Sequence, residues 1–269
     1  MIGVKFNGRL GNQLFQLAFF QYLKSNNKEY TYFFVNPHHS YLTKYFDLEG
    51  YHNQTLGSKL YSILTRIIIR IKKFKEIYIQ NIQVPRAVSV ENWHIYKGFF
   101  QTDWYYKHII GGLKIEIKKI YVDKFNIEFG AIFDKEKTVV IHIRRTDYMN
   151  YGKRDISLPL EYFKKRLDSL GDVSDHRIFF VSDDIEHVKS YFTPKPNYIF
   201  SSNNEITDFQ IIKNADIAII SNSSFAWWAS YLSTKPKKVY APKNWLGFRI
   251  GKEHPKKIMT EKFIWCDVL

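Results

Sequence analysis

TVVIHIRRTDY, residues 138–148, changes character once, at Arg144. Thr138–Ile143 consists of β-branched residues interrupted only by His142. Such a run suits a strand buried on both faces. Arg144–Tyr148 is polar or charged, so the strand delivers its charge to one edge of a sheet. Working outward, further strands are expected at Ile178–Ser182, Ile217–Ser221 and Lys238–Ala241. Helical patterns fall between them at Leu160–Leu170, Ile185–Phe192, Asp208–Asn214 and Phe225–Leu232. Thr207 and Gln210 have capping-box spacing at the start of the third of these helices. Strand–helix alternation predicts a mostly parallel sheet covered on both faces.

Upstream, Ile2–Phe6 reads as a strand, Asn7–Gly11 as a turn and Asn12–Lys24 as a helix. Thr31–Val35 and His94–Phe100 read as strands, Lys59–Lys75 as a basic, Ile-rich helix, and Leu113–Phe129 as a helix. The charged break Asp134–Lys137 suggests a boundary, giving domains 1–135 and 136–269. A last helix packing back on the N-terminal domain is also expected.

The 269 residues carry a formal net charge of +14, which favours anionic partners. No zinc-finger or RNA-recognition signature accompanies that charge, which argues against a nucleic-acid partner. The single cysteine, Cys266, allows neither an intrachain disulfide nor a thiolate zinc site. No run reaches the ~18 apolar residues of a membrane-spanning helix. A cytoplasmic location is the default expectation. The segment 60–75 alternates isoleucines with Arg66, Arg70, Lys72, Lys73 and Lys75, preceded by Lys59. Two destinations fit it: an anionic membrane surface, or a core-packed helix with its cations in water.

In parallel sheets, ligands sit beyond the carboxyl ends of the strands. Those ends are His142–Tyr148, Ser182–Asp184 and Ser221–Phe225. Adjacent side chains on a strand point to opposite faces, so one arginine of Arg144 and Arg145 can face a ligand while the other braces the loop against Asp147. A guanidinium suits a pyrophosphate, and equally a solvated turn. His142 can serve a phosphate or a purely structural bond. Ser223, Ser224 and Phe225 open a helix and can bind an anion or simply cap it. Asp183 and Asp184 can hold a metal, read a base or ribose, or cap the next helix. Gly8–Gln13 has the glycines of a close turn but not the spacing of a phosphate loop.

Taken in order, these segments resemble the α-1,2-fucosyltransferase family, glycosyltransferase family 11. The resemblance is carried by Gly8–Gln16, by Phe99-Phe100-Gln101 with Trp104-Tyr105, by His142–Tyr148, by Phe179–Asp184 and by Ser221–Ala229. Thr146 departs from it, where glycine is common. The resemblance implies an α/β, GT-B-like fold, with two Rossmann-like domains facing a central cleft. It implies an N-terminal domain that mainly holds the acceptor and a C-terminal one that holds GDP-fucose. Fucose would pass with inversion, without a metal or other cofactor, to the 2-OH of a terminal galactose on an oligosaccharide or lipid-linked glycan. By the same resemblance Arg144 would neutralise the leaving GDP, supported by His142. Arg145, Ser223, Ser224, Phe225 and Gly11 would bind the donor, Asp183 would read guanine, and Asn12 and Gln13 would lie near fucose and acceptor. The base is left open among Asp147, Asp103 and His142.

Overall fold

The computed structural model describes residues 1–35, 41–48 and 55–268, with the side chains of 55–59 excepted. The chain divides into two compact units, Met1–Lys118 with His254–Ile258, and Lys119–Glu253 with the residues from Met259 onward.

Unit 1 runs β1 (Ile2–Lys5), α1 (Leu10–Asn26), β2 (Tyr32–Val35), α2 (Tyr41–Tyr45), β3 (Phe46–Leu48), α3 (Thr55–Ile71), β4 (Lys75–Tyr78), β5 (His94–Lys97), α4 (Trp104–Lys107) and β6 (Ile115–Ile117). Its main sheet has the order β2-β1-β5-β4, all parallel, while β3 and β6 form a small antiparallel pair. The aromatic core stacks Phe19 on Phe100 at 3.8 Å, with Tyr105 edge-on to Phe19.

Three expectations for this unit are corrected. Helix α1 starts at Leu10, so Gly11 is helical and not part of the turn. The basic helix stops at Ile71, because Lys73 takes φ 47, Phe74 is buried, and Lys75 already belongs to β4. The Leu113–Phe129 helix is two elements, a strand and a later helix. Ile115–Ile117 is captured by β3, and Lys118 anchors the junction by donating to the carbonyls of Tyr45 and Thr43. Tertiary pairing overrides a local pattern there.

Unit 2 runs α5 (Lys119–Lys135), β7 (Lys137–Ile143), α6 (Leu160–Asp168), β8 (His176–Ser182), α7 (Ile185–Tyr191), β9 (Tyr198–Phe200), α8 (Glu205–Asn214), β10 (Ile217–Ile220), α9 (Ser224–Tyr231), β11 (Lys238–Pro242) and β12 (Ile264–Cys266). All six strands are parallel, in the order β12-β11-β10-β7-β8-β9. Its core is the apolar set expected from the strand runs: Val139, Ile141 and Ile143 of β7 with Ile178, Phe180 and Ile219.

The observed division precedes α5, not the charged break at Asp134–Lys137. Phe133 of α5 stacks on Phe179 at 5.2 Å, and the helix runs into β7 almost without a loop. The final element is the edge strand β12 and not a helix. It is the short segment His254–Ile258 that groups with unit 1, where Lys256 donates to the Asn81 carbonyl. Helix α8 begins earlier than expected, because Asn204 is the N-cap and accepts from the amides of Ile206 and Thr207. Among the described residues no helix is long and apolar enough to cross a membrane.

Candidate active site

The three segments singled out in the sequence converge at the carboxyl ends of β10, β7 and β8, neighbours in the sheet. Register brings them level: Ile220 pairs with His142, and Ile143 with Ser182.

His142 is 5% exposed, and its Nδ1 lies 3.0 Å from Ser221 Oγ. Its ring sits 5.9 Å from that of Phe225. Burial, reinforced by the Arg144 charge, pushes the imidazole down to about 3. The side chain is therefore neutral at neutral pH.

Arg144 donates through Nε and Nη2 to both oxygens of Asp147, each at 2.8 Å. Its Nε also lies 3.3 Å from Asp183, and the guanidinium approaches the Tyr148 ring at 5.7 Å. Burial lowers its proton affinity, but Asp147 and Asp183 more than offset this, and the net shift is upward. Arg145 turns the other way and bonds Asp184 at 3.2 Å and the Met149 sulfur. The two arginines take different carboxylates, and it is Arg144, the arginine that the resemblance gives to the leaving GDP, that pairs with Asp147, where the other arginine was expected to brace the loop.

Asp183 is the hub of the loop. It accepts from the backbone amides of Arg145 and Thr146 and from the Thr146 hydroxyl. Both its oxygens are engaged, so the carboxylate that the resemblance gives to guanine braces the arginine loop here. Asp184 stands at the N-cap of α7 but makes no capping bond, because its carboxylate meets Arg145 instead. Thr146 adds a side-chain bond that glycine could not make.

The β10–α9 turn closes the other side. Ser223 is the N-cap of α9, yet its hydroxyl makes no capping bond. Tyr148 Oη donates to the Asn222 carbonyl at 3.3 Å, joining the two loops. Asn222 Nδ2 donates to Ile156, while its buried Oδ1 has no partner. The first amides of an α-helix have no intrahelical acceptor, and those of α9 follow β10, the strand next to the one that leads into Arg144. Trp227 and Trp228, fully buried, fix the helix that carries them.

The matching family model, glycosyl transferase family 11, spans residues 1–260. The chain belongs to that family. This family 11 chain is 31% identical over 124 residues to the O-antigen biosynthesis glycosyltransferase WbnK of Escherichia coli, a match spanning 43% of this chain and 41% of that protein. It is 27% identical to the alpha-1,2-colitosyltransferase of E. coli, covering 84% of this chain and 85% of that one. Among solved structures it is similar to the fucosyltransferase NodZ from Bradyrhizobium, with TM-score 0.53, 10% identity, and coverage of 85% and 90%. The glycosyl transferase family 9 protein of Veillonella parvula gives TM-score 0.53 at 13% identity, covering 98% and 85%. At such identities the likeness speaks for the fold, and the fold is the α/β, GT-B-like pair of Rossmann-like units expected from the sequence.

The family's glycine-rich turn lies in unit 1 and is occupied mainly with itself. Gln13 is fully buried; it donates to the Gly8 carbonyl at 2.9 Å and accepts from the Leu42 amide at 3.0 Å. That burial removes it from contact with a ligand in this conformation. Gly11 is buried in the first turn of α1. Asn12 is half-buried and accepts from Gln101, which accepts in turn from Asn81. Asn81 and Gln101 line a cavity of about 390 Å³ in unit 1, together with Tyr78, Arg86 and Tyr105. Asp103 is buried and ion-paired with Lys107 at 3.0 Å. Sequence reasoning gave no role of their own to Tyr148 and Ser221, which lie at the ends of recognised segments, and read Asn222 only as part of the turn that opens the helix.

Proposed function

We propose that this chain transfers L-fucose from GDP-fucose to the 2-OH of a terminal galactose, with inversion, in cell-surface glycan or O-antigen synthesis. The observation behind it is the meeting of Arg144, neutral His142 and the α9 N-terminus at adjacent strand ends. Fixed donors of this kind suit a diphosphate. As the bond from the sugar C1 to the phosphate oxygen breaks, negative charge grows on the departing GDP. Arg144 and the helix amides meet that charge, and donors held in advance stabilise the transition state more than the ground state. No metal is invoked. The acceptor oxygen forms the new bond to C1, and its proton passes to a carboxylate of the site or to water. His142 is a poor recipient, because a group that binds a proton only near pH 3 is far from the operating range. Asp147 is the more exposed carboxylate of the site and orients Arg144 at rest. The GDP-bound NodZ structure and the GDP complex of Arabidopsis thaliana FUT1 support a GDP-linked donor by analogy. Unit 1, with its polar and aromatic cavity, would take the acceptor.

A second donor follows from the colitosyltransferase match: colitose, which lacks the 3-hydroxyl of fucose. One assay separates the two. The protein is incubated with GDP-fucose, GDP-colitose, GDP-mannose or UDP-galactose and a panel of galactose-terminated oligosaccharides, and the linkage is read by NMR. Transfer from GDP-fucose, lost in a folded Arg144→Ala variant, is the expected result. Turnover with UDP-galactose alone, or full activity of Arg144→Ala, would refute the proposal.

A further inference from the structure

Helix α3 presents three faces, and only one of them serves the fold. At about 100° per residue, Tyr61, Thr65, Ile68 and Ile69 share one side. Tyr61, Ile68 and Ile69 pack on a core of Phe33, Val35, Phe74 and Ile95, and Thr65 is buried. Leu60, Ile63, Leu64, Ile67 and Ile71 fall on a second stripe, about 125° around the helix from the first. They are 58%, 54%, 55%, 45% and 70% exposed. The isoleucine-rich stripe is therefore not what holds the helix to the sheet. Arg66 and Arg70, both exposed, flank it on the side away from the core. Lys72 and Lys73 follow at its C-terminal end, also exposed. The Lys59 side chain lies outside the described residues.

Five contiguous branched aliphatic side chains in water are an uncommon surface for a monomer. The cations beside them select the occupant. From Gly50 to Lys75 the sequence contains no carboxylate. In a symmetric pairing of two copies on this face, Arg66 and Arg70 would approach their own counterparts with no acidic group of the segment between them. A surface that is apolar below and anionic above has the complementary order. We propose that α3 is a membrane-surface helix. Its Leu60–Ile71 stripe enters the boundary between headgroups and acyl chains of an anionic bilayer, and Arg66, Arg70, Lys72 and Lys73 meet the lipid phosphates. The surface would bring the enzyme to lipid-borne acceptors, but its existence does not depend on which sugar is transferred.

The test is co-sedimentation of the intact protein with vesicles of pure phosphatidylcholine or of phosphatidylcholine mixed with phosphatidylglycerol. Binding to the anionic vesicles is expected, with little to the neutral ones and loss in high salt. Arg66→Gln with Arg70→Gln should lower the anionic partition coefficient about thirtyfold, at roughly a factor of five per cation. Ile63→Ser with Ile67→Ser should abolish partition, with an unchanged melting temperature and unchanged transfer to a soluble acceptor. Equal partition of wild type and both variants would overturn the proposal. So would a failure to bind anionic vesicles at low salt. A concentration-dependent dimer that Ile63→Ser with Ile67→Ser dissolves, without lipid binding, would assign the stripe to a second copy instead.

Discussion

His142 offers a sharp quantitative test of the site. Its folded-state proton affinity is depressed, from an ordinary value near 6.5 to about 3. Burial is the main cause and the Arg144 charge the next. Between those values the unfolded chain holds a proton that the folded chain refuses. Stability is thus fully present above pH 6.5 and is lost as the pH falls toward 3. At about 1.36 kcal/mol per pH unit, the loss by pH 5 is about 2 kcal/mol. That figure needs only a folded-state value well below 5. The variant His142→Asn keeps a polar group near Ser221 but has no proton to gain. Urea unfolding of both proteins at pH 7 and pH 5 isolates the effect, since every other titrating group is shared. Four of the six tryptophans, at 227, 228, 245 and 265, report on unit 2 by fluorescence. Wild type should lose about 2 kcal/mol more than His142→Asn between the two pH values. Equal losses would mean that the imidazole takes up a proton in the folded state, and the neutral, buried histidine described here would be wrong.

Asp208 should show the opposite sign, because burial raises its carboxyl to about 6 against the pull of the Ser201 hydroxyl. Its favourable contribution is present below about pH 4 and lost as the pH rises through 6. Asp208→Asn should therefore gain up to about 3 kcal/mol relative to wild type between pH 4 and pH 7, measured by denaturant titration. Gln13→Ala strands a buried carbonyl and the Leu42 amide, and should cost about 2–4 kcal/mol in the same assay. Asp183→Ala releases two backbone amides and the Thr146 hydroxyl, so GDP affinity measured by calorimetry should fall at least tenfold while the sheet remains folded.

The sequence made the strand ends legible because burial on both faces imposes an unbroken apolar run, and its interruption is a local event. Thr138–Ile143 and the charge that follows could be read without knowing any partner. The pairings could not. Ser221 becomes the partner of His142 only through the β10–β7 register, 79 residues apart in the chain. Asp183 has the same local context as a helix cap, and only the adjacency of β8 to β7 turns it into a brace. Helix α3 shows the same limit from the other side. Its periodicity announces an amphipathic helix, but which apolar face meets the sheet depends on the packing around Phe33 and Phe74. The division between units escaped a reading by charge, since Phe129 and Phe133 tie α5 to Phe179 by contacts that no linker composition records.

The clasp of Asp147 on Arg144 bears on turnover. An isolated guanidinium in a half-buried site would hold a diphosphate tightly and release it slowly, because departure would strand the cation. Here a carboxylate stands ready to take the vacated place. On the proposed function, the product leaves by exchange of one counter-ion for another, so the resting enzyme resets itself and the escape of GDP is eased at some expense in affinity.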